Sequence, residues 1–320
     1  MKGKDYQYYP GTLRGIESDR VYPVKLEKKE NENYGEVLFV ADLHIGHKDF
    51  YEPELRRFLA YVKSNPHVQV VMVGDYFEMQ EFSPILPDAD LNLEQQVVKF
   101  TELFYPIRDQ IRLALSGNHD ARIQKAILNK MNILEILFHK NLSDKIIVEE
   151  PNRGAFIVFE VDDQAIPVYV VHGASGSIIQ TETQLRRAAL SMHVPLIVQG
   201  HLHQRGHISK QYNVIAKVGN EYKRAIMSQI LLHAGSYLKY PSYAEARSYP
   251  ITDIGSPLVR FHSEGYVTVV NLRDELGDKF TMGGQTYKTK PVTPIETFKY
   301  RRDYNIPREE LIKMRDEEVN

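Results

Sequence analysis

Five short apolar runs constrain this chain more than any other feature. EVLFVAD (36–42), VQVVMVGD (68–75), IRLALSGN (111–118), PVYVVHG (167–173) and PLIVQGH (195–201) are brief, nearly uninterrupted and rich in Val, Ile and Leu. Such runs read as strands covered on both faces, which need helices or a second sheet on either side. Each run also ends in polar residues. Past its C-terminal end stands Asp42-Leu43-His44, Gly74-Asp75, Gly117-Asn118-His119-Asp120, His172-Gly173 or Gly200-His201-Leu202-His203. In open α/β sheets that edge is where ligands bind. One D-x-H triplet is commonly just a strand running out into a polar loop, but five such endings on five strands are not explained that way.

Helical patterns alternate with the runs. Leu55, Phe58, Leu59 and Val62 recur at i, i+3, i+4 and i+7, with Pro53 near the start and Asn65-Pro66 at the end. A second helix is expected to begin at Asn92, with Gln95 as its capping-box partner, and to bury Leu93, Val97, Phe100 and Phe104. A third is expected over about residues 121–139, with Ile123, Ile127, Met131, Leu134 and Phe138 near one face. Beyond residue 203, QYNVIAKV, RAIMSQILLHAGS, PLVRFH and YVTVVNL read as further strands. The tail FKYRRDYNIPREELIKMRDEEVN mixes charges, and its end reads as a short amphipathic helix, a segment that lies outside the residues described below. Strand and helix in alternation argue for a layered α/β domain.

Composition narrows the function. With 320 residues and 42% hydrophobic content the chain can bury a full core. A net charge of −2 gives no global attraction to nucleic acid or to an anionic membrane, so a nucleic-acid partner would need a local basic patch. The absence of cysteine excludes disulfides and thiolate metal sites. No run reaches the length of a membrane-spanning helix, and the opening MKGKDYQYYPGTL lacks the apolar centre of a signal peptide. The expectation is a soluble, cytoplasmic protein without a membrane partner.

The polar endings permit a narrow chemistry. Asp42, His44, Asp75, Asn118, His172, His201 and His203 supply oxygen and imidazole without sulfur, which suits Mn, Fe, Zn, Ni or Co. Within D-x-H and H-x-H, alternate strand-like residues would point the same way into one cavity. Seven ligands exceed what one tetrahedral ion uses, whereas two ions about 3.5–4 Å apart would use all seven through a bridging carboxylate. Asp75, alone after its glycine, is the natural bridge.

The ordered set D-x-H, G-D, G-N-H-D, H-G and G-H-x-H, from Asp42 to His203, resembles the calcineurin-like metallophosphoesterase superfamily. The D-L-H-x-G opening is similar to that of its repair-exonuclease-like members. The resemblance implies a four-layer α/β fold, a β-sandwich of two mixed sheets flanked by helices, over residues 34–275. Residues 1–33 would be an N-terminal extension and 276–320 a C-terminal extension. It implies two divalent ions, Mn foremost, one held by Asp42, His44, Asp75 and His203, the other by Asp75, Asn118, His172 and His201. Hydroxide activated between them would attack a phosphoester. His119 would protonate the leaving oxygen or stabilise the transition state. The substrate is expected to be a phosphodiester, nucleic acid or nucleotide, with a phosphomonoester or a catalytically silent scaffold as the alternatives.

Further residues are candidates around that centre. Glu78 stands where protein-phosphatase members of the superfamily carry an acidic residue paired with the catalytic histidine, and where repair nucleases usually carry a histidine. It is thus a catalytic candidate that would orient His119 and raise its pKa, against the alternative of a solvated loop carboxylate. Asp120 is a second candidate for that role. Arg122 could clamp a phosphate oxygen. In YLKYPSYAEARSYP, Tyr243 and Arg247 could stack a base and hold a phosphate, or simply pack as a loop. Of the remaining histidines, His47 and His233 are the best candidates for supporting the ligands.

Overall fold

A computed structural model describes residues 6–8, 20–78, 90–122, 133–149, 153–173, 181–218, 220–239, 254–272, 279–282 and 285–288. The chain divides into two units, residues 1–275 and 276–320. In the second unit the strands Lys279–Met282 and Gln285–Lys288 pair antiparallel.

The first unit is built on two mixed sheets. One has six strands: β3 (Tyr34–Val40), β4 (Gln69–Met72), β5 (Ile111–Ala114) and β6 (Ile147–Val148) run parallel, and β12 (Leu258–His262) and β13 (Val267–Val270) continue antiparallel beyond β3. The other has seven. From edge to edge it runs β1 (Tyr6–Tyr8), β10 (Arg205–Val218), β11 (Glu221–Ala234), β9 (Leu196–Gln199), β8 (Gln164–Val171), β7 (Ala155–Val161) and β2 (Val21–Lys25). Within it β11, β9 and β8 are mutually parallel. The five apolar runs are thus β3, β4, β5, β8 and β9. Strands β2 and β7, which lie outside those five runs, extend the second sheet to its edge. Pro23 fits β2 because that strand lies at an edge, where a missing N–H costs no ladder bond.

Both sheets turn apolar faces inward. Val37, Phe39, Ala41, Val71, Val73, Leu113 and Leu115 meet Ile157, Phe159, Val168, Val170, Val198 and Leu232 in one buried core. Helices close the outer faces, so β3 and β4 are buried at every position. In α1 (Glu52–Ser64) Leu55, Phe58, Leu59 and Val62 are buried, as their spacing predicts. On the far side, Leu185 and Ala189 of α4 (Thr181–Ser191) pack with Ile197 and Leu231. Helix, sheet, sheet, helix is the four-layer order expected.

Helix α2 (Leu93–Phe104) carries the full capping box, with Asn92 and Gln95 each accepting the other's backbone N–H at 2.9 Å. Its buried stripe is Gln96, Phe100, Leu103 and Phe104, whereas Leu93 and Val97 are only partly covered. The stripe is turned because Gln96 has hydrogen bonds to make in the interior, described below. Phe100 packs with Phe77 and with Phe138 of α3 (Ile133–Asn141), ring centroids 5.2 Å apart in each case. Leu134 and Phe138 are buried as expected, and Ile123, Ile127 and Met131 lie outside the described residues.

One polar group sits within the outer face of the six-stranded sheet. Glu36, fully buried in β3, accepts from Arg260 Nε (2.9 Å) directly opposite in β12, from Tyr61 Oη (2.8 Å) of α1 and from His67 Nε2 (2.9 Å). Burial resists its ionisation, but the bonds from His67, Arg260 and Tyr61 outweigh it and hold the carboxyl below its ordinary 4.5. A lowered pKa stabilises the fold above the unfolded value and loses that contribution as pH falls through the folded one. Glu36→Gln is therefore expected to cost about 2–4 kcal/mol at pH 7. In urea unfolding the gap to wild type should narrow below a pH of about 4.5.

Candidate metal centre

Parallel pairing brings the five strand ends together. Past β3 and β4 the ladder continues for a few residues, with Val73 N donating to Val40 O (2.7 Å) and Asp42 N to Gly74 O (3.0 Å). The chain then departs from extended geometry. Asp42, His44, Asp75, His201 and His203 have φ of 50°, 49°, 55°, 70° and 53°, five of the eight non-glycine residues with positive φ among those described. Left-handed backbone at a residue with a Cβ costs on the order of 1 kcal/mol or more and marks positions overdetermined by their surroundings. D-x-H and H-x-H therefore gather both members into one cavity through left-handed turns, not through strand alternation as expected. Gly117 is required by close approach: a Cβ there would overlap the backbone and carboxylate of Asp75.

Two separate clusters result, with a third that overlaps both. Asp42, His44 and His203 offer ligand atoms within 4.8 Å of one another, and so do Asp75, His172 and His201. In the first, His44 Nε2 and His203 Nε2 are 3.0 Å apart, and His203 Nε2 is 3.5 Å from Asp42 Oδ1. In the second, His172 Nε2 is 3.2 Å from Asp75 Oδ2, and Asn118 Oδ1 lies 2.8 Å from His201 Nδ1 and 3.2 Å from His172 Nε2. Asp75 joins them: its Oδ2 is also 3.9 Å from His44 Nε2, and a third cluster combines His44, Asp75 and His119. The structure thus brings all seven candidate ligands to one place, from the ends of both sheets.

The cavity holds its carboxylates and imidazoles out of water, which shifts their titration. Burial, followed by charge repulsion from Asp75, pushes Asp42 well above its ordinary value. Burial would do the same to Asp75, but the charge and hydrogen bond of His172 outweigh it and hold that carboxylate low. Burial lowers His44, His203 and His201, keeping these imidazoles neutral, the form that ligates. Burial also opposes charge on His172, yet Asp75 and Asp42 prevail and hold it up to about 10. His172 Nδ1 donates to Val73 O at 2.6 Å, so its Nε2 is the nitrogen turned to the cavity. His44 Nδ1 donates to Glu78 Oε2 at 2.8 Å, which turns its Nε2 inward as well. Two imidazole nitrogens 3.0 Å apart beside two carboxylates need a proton or a cation between them. An oxygen and imidazole set of this kind fits divalent metal.

His119 lies at the edge of the cavity. Its backbone N–H donates to Asp75 Oδ1 (2.8 Å) and its Nδ1 to the backbone carbonyl of Glu78 (2.9 Å). Glu78 meets only part of the expected role. Its carboxylate bonds His44 at 2.8 Å, and its other oxygen is 3.8 Å from His119 Nδ1, so it is the Glu78 main chain that orients His119. Asp120 also departs from expectation. Both its oxygens are taken up by backbone amides, Oδ2 by Asp75 (2.8 Å) and Gly117 (2.9 Å), Oδ1 by Tyr76 (3.0 Å) and Phe77 (3.3 Å). It ties the G-D and G-N-H-D turns together.

Arg122 lies across His119, with Nη1 3.2 Å from Nδ1 and Nη2 3.2 Å from Nε2, the spacing of a planar fork over the ring. His47 is buried, and its Nδ1 accepts from Asp49 N at 3.0 Å. In β11 the neighbours of His233, Leu232 and Ala234, face the sandwich core, so His233 faces the opposite side of the sheet. Tyr243 and Arg247 lie outside the described residues. Sequence reasoning missed Gln96 altogether, because a glutamine inside an apolar helical stripe has no motif to announce it.

A family model of calcineurin-like phosphoesterases matches residues 35–213, more than half of the chain. The protein belongs to that family. No curated protein matches it. It is similar to the solved structure of vacuolar protein sorting 29 from Cryptosporidium parvum (14% identity, 81% of this chain and 97% of that one, TM-score 0.37). It is also similar to a conserved predicted phosphoesterase of Streptococcus pneumoniae TIGR4 (13% identity, 74% and 97%, TM-score 0.33). A third similar structure is nuclease MPE of Pseudomonas putida (14% identity, 73% and 87%, TM-score 0.31).

The amide bonds of Asp120 generate a test. An asparagine can accept at only one of the two positions and would set its NH2 against amides at the other. Asp120→Asn is expected to lower stability by about 2–4 kcal/mol in urea unfolding. Unchanged stability together with lost activity would instead place this carboxylate at the reaction.

Proposed function

We propose that this protein is a metal-dependent phosphoester hydrolase acting on a phosphodiester, in nucleic acid or a nucleotide, with residues 34–275 as its catalytic domain. The observation that carries this reading is the pair of donor clusters joined at Asp75. Asp42, His44, Asp75 and His203 would hold one ion and Asp75, Asn118, His172 and His201 the other. Two divalent cations, Mn foremost with Fe, Zn, Ni or Co as alternatives, would neutralise phosphoryl oxygens and acidify a water.

The chain's own residues supply the rest. His119, with Nδ1 committed to the Glu78 carbonyl, presents Nε2 as the nitrogen that gives a proton to the departing oxygen. Arg122, lying against that imidazole, would meet a phosphate oxygen of the substrate. Monoester hydrolysis is the alternative, but the acidic pairing of Glu78 with His119 that favoured it is the weaker of the two Glu78 contacts. Bis-p-nitrophenyl phosphate, p-nitrophenyl phosphate, single- and double-stranded DNA and cyclic nucleotides, each assayed with Mn, separate these readings. Hydrolysis of none of them would favour the silent scaffold.

Protein loaded with Mn is expected to hold two ions per chain by metal analysis. Asp75→Ala should lose both, and Asn118→Ala should weaken mainly one. Two tightly held ions in the Asp75 variant would sink the shared-carboxylate arrangement. His119→Ala is expected to keep both ions but slow esters with poor leaving groups by about 10²–10⁴-fold. An activated nitrophenyl ester should suffer much less. Equal slowing of both would mean that His119 stabilises the phosphoryl oxygens and does not act as the acid.

A further inference from the structure

The family motif ends at each ligand's own strand, yet one ligand is braced from a helix that the motif does not include. We propose that Glu78, anchored by Gln96 of α2, is the positioning residue that makes His44 a metal ligand. This rests on the two-ion reading above.

The geometry forms a chain of fixed bonds. An imidazole ligates through one nitrogen only if its proton sits on the other, and a carboxylate acceptor at that second nitrogen selects this tautomer and fixes the ring plane. Glu78 Oε2 stands 2.8 Å from His44 Nδ1, with both side chains almost fully buried. Glu78 in turn is held through its main chain, whose N–H lies 3.1 Å from Ile45 O and 3.1 Å from Gln96 Oε1. The Gln96 amide is pinned at its other end, where Nε2 donates to Leu91 O at 2.8 Å. Gly46 leaves the notch that this side chain fills, since a Cβ there would come within 2.6 Å of the Gln96 amide. The same main-chain segment of Glu78 offers its carbonyl to His119. A glutamine buried in an otherwise apolar stripe thus sets the height and direction of the residue that orients His44.

A merely structural role would lower stability without choosing between the ions, whereas positioning of His44 predicts a selective effect. The test is calorimetric titration of metal-free protein with Mn, with melting of the same metal-free proteins alongside. Glu78→Ala is expected to weaken one ion by about 10–100-fold and to leave the other nearly unchanged. Glu78→Gln, whose carbonyl oxygen can still accept the Nδ1 proton, should restore most of that loss. Gln96→Met, which keeps the bulk and removes the acceptor, should weaken the same ion by a smaller factor. Equal weakening of both ions, or wild-type affinity in Glu78→Ala, would overturn the proposal while leaving the two-ion reading in place. A wild-type protein that takes up fewer than two ions would remove the two-ion reading itself.

Discussion

Asp42 and Asp75 are buried almost completely, and their side chains stand within reach of the same imidazole, His44. Two carboxylates out of water in one cavity are costly unless opposite charge or hydrogen-bond donors surround them. Most of what is unusual at this end of the sandwich offsets that cost. His119 and His201 donate backbone N–H groups to the two carboxylates, His172 is held charged beside Asp75, and neutral imidazoles line the remaining side. Left-handed turns at five of these residues are what let so many donors converge on a small volume.

Holding such turns requires support from below and beside. Asp120 gathers amides from both the Asp75 and Gly117 turns, so neither turn can relax alone. Tyr76 fixes the same region from the core: its hydroxyl donates to Leu115 O at 2.6 Å and accepts from Gly74 N at 3.2 Å. Phe77 beside it is packed against Phe100. The aromatic cluster under the six-stranded sheet therefore does more than bury area, since it locks the loop that carries Asp75 and Glu78.

The two sheets divide the work. The six-stranded sheet delivers Asp42, His44, Asp75, Asn118 and His119, and the seven-stranded sheet delivers His172, His201 and His203. Each proposed ion draws on both. Neither sheet alone presents a complete set of donors, so the centre depends on the sandwich being closed.

Most of the strands, and the candidate ligands that follow them, were legible in the amino-acid sequence, and for a local reason. A strand buried on both faces needs an unbroken apolar run, and the candidate donors stand directly after it, so run and donor are adjacent in the chain. The capping box at Asn92 and the stripe of α1 were legible on the same terms. Strand β2 was harder, since it is short, carries a proline and is buried at one position only. What tertiary structure alone decided is which partner each polar group takes. Glu78 lies three residues from Asp75 and could have served His119 or His44; the fold turns its carboxylate to His44 and its carbonyl to His119. Asp120 follows His119 directly yet bonds four amides instead, and Gln96 is drawn into the interior by a bond to a residue eighteen positions away. Residue types and spacing determine which chemistry is available. Hydrogen-bond partners are chosen by distances across the fold, which depend on how the sheets and helices pack against one another.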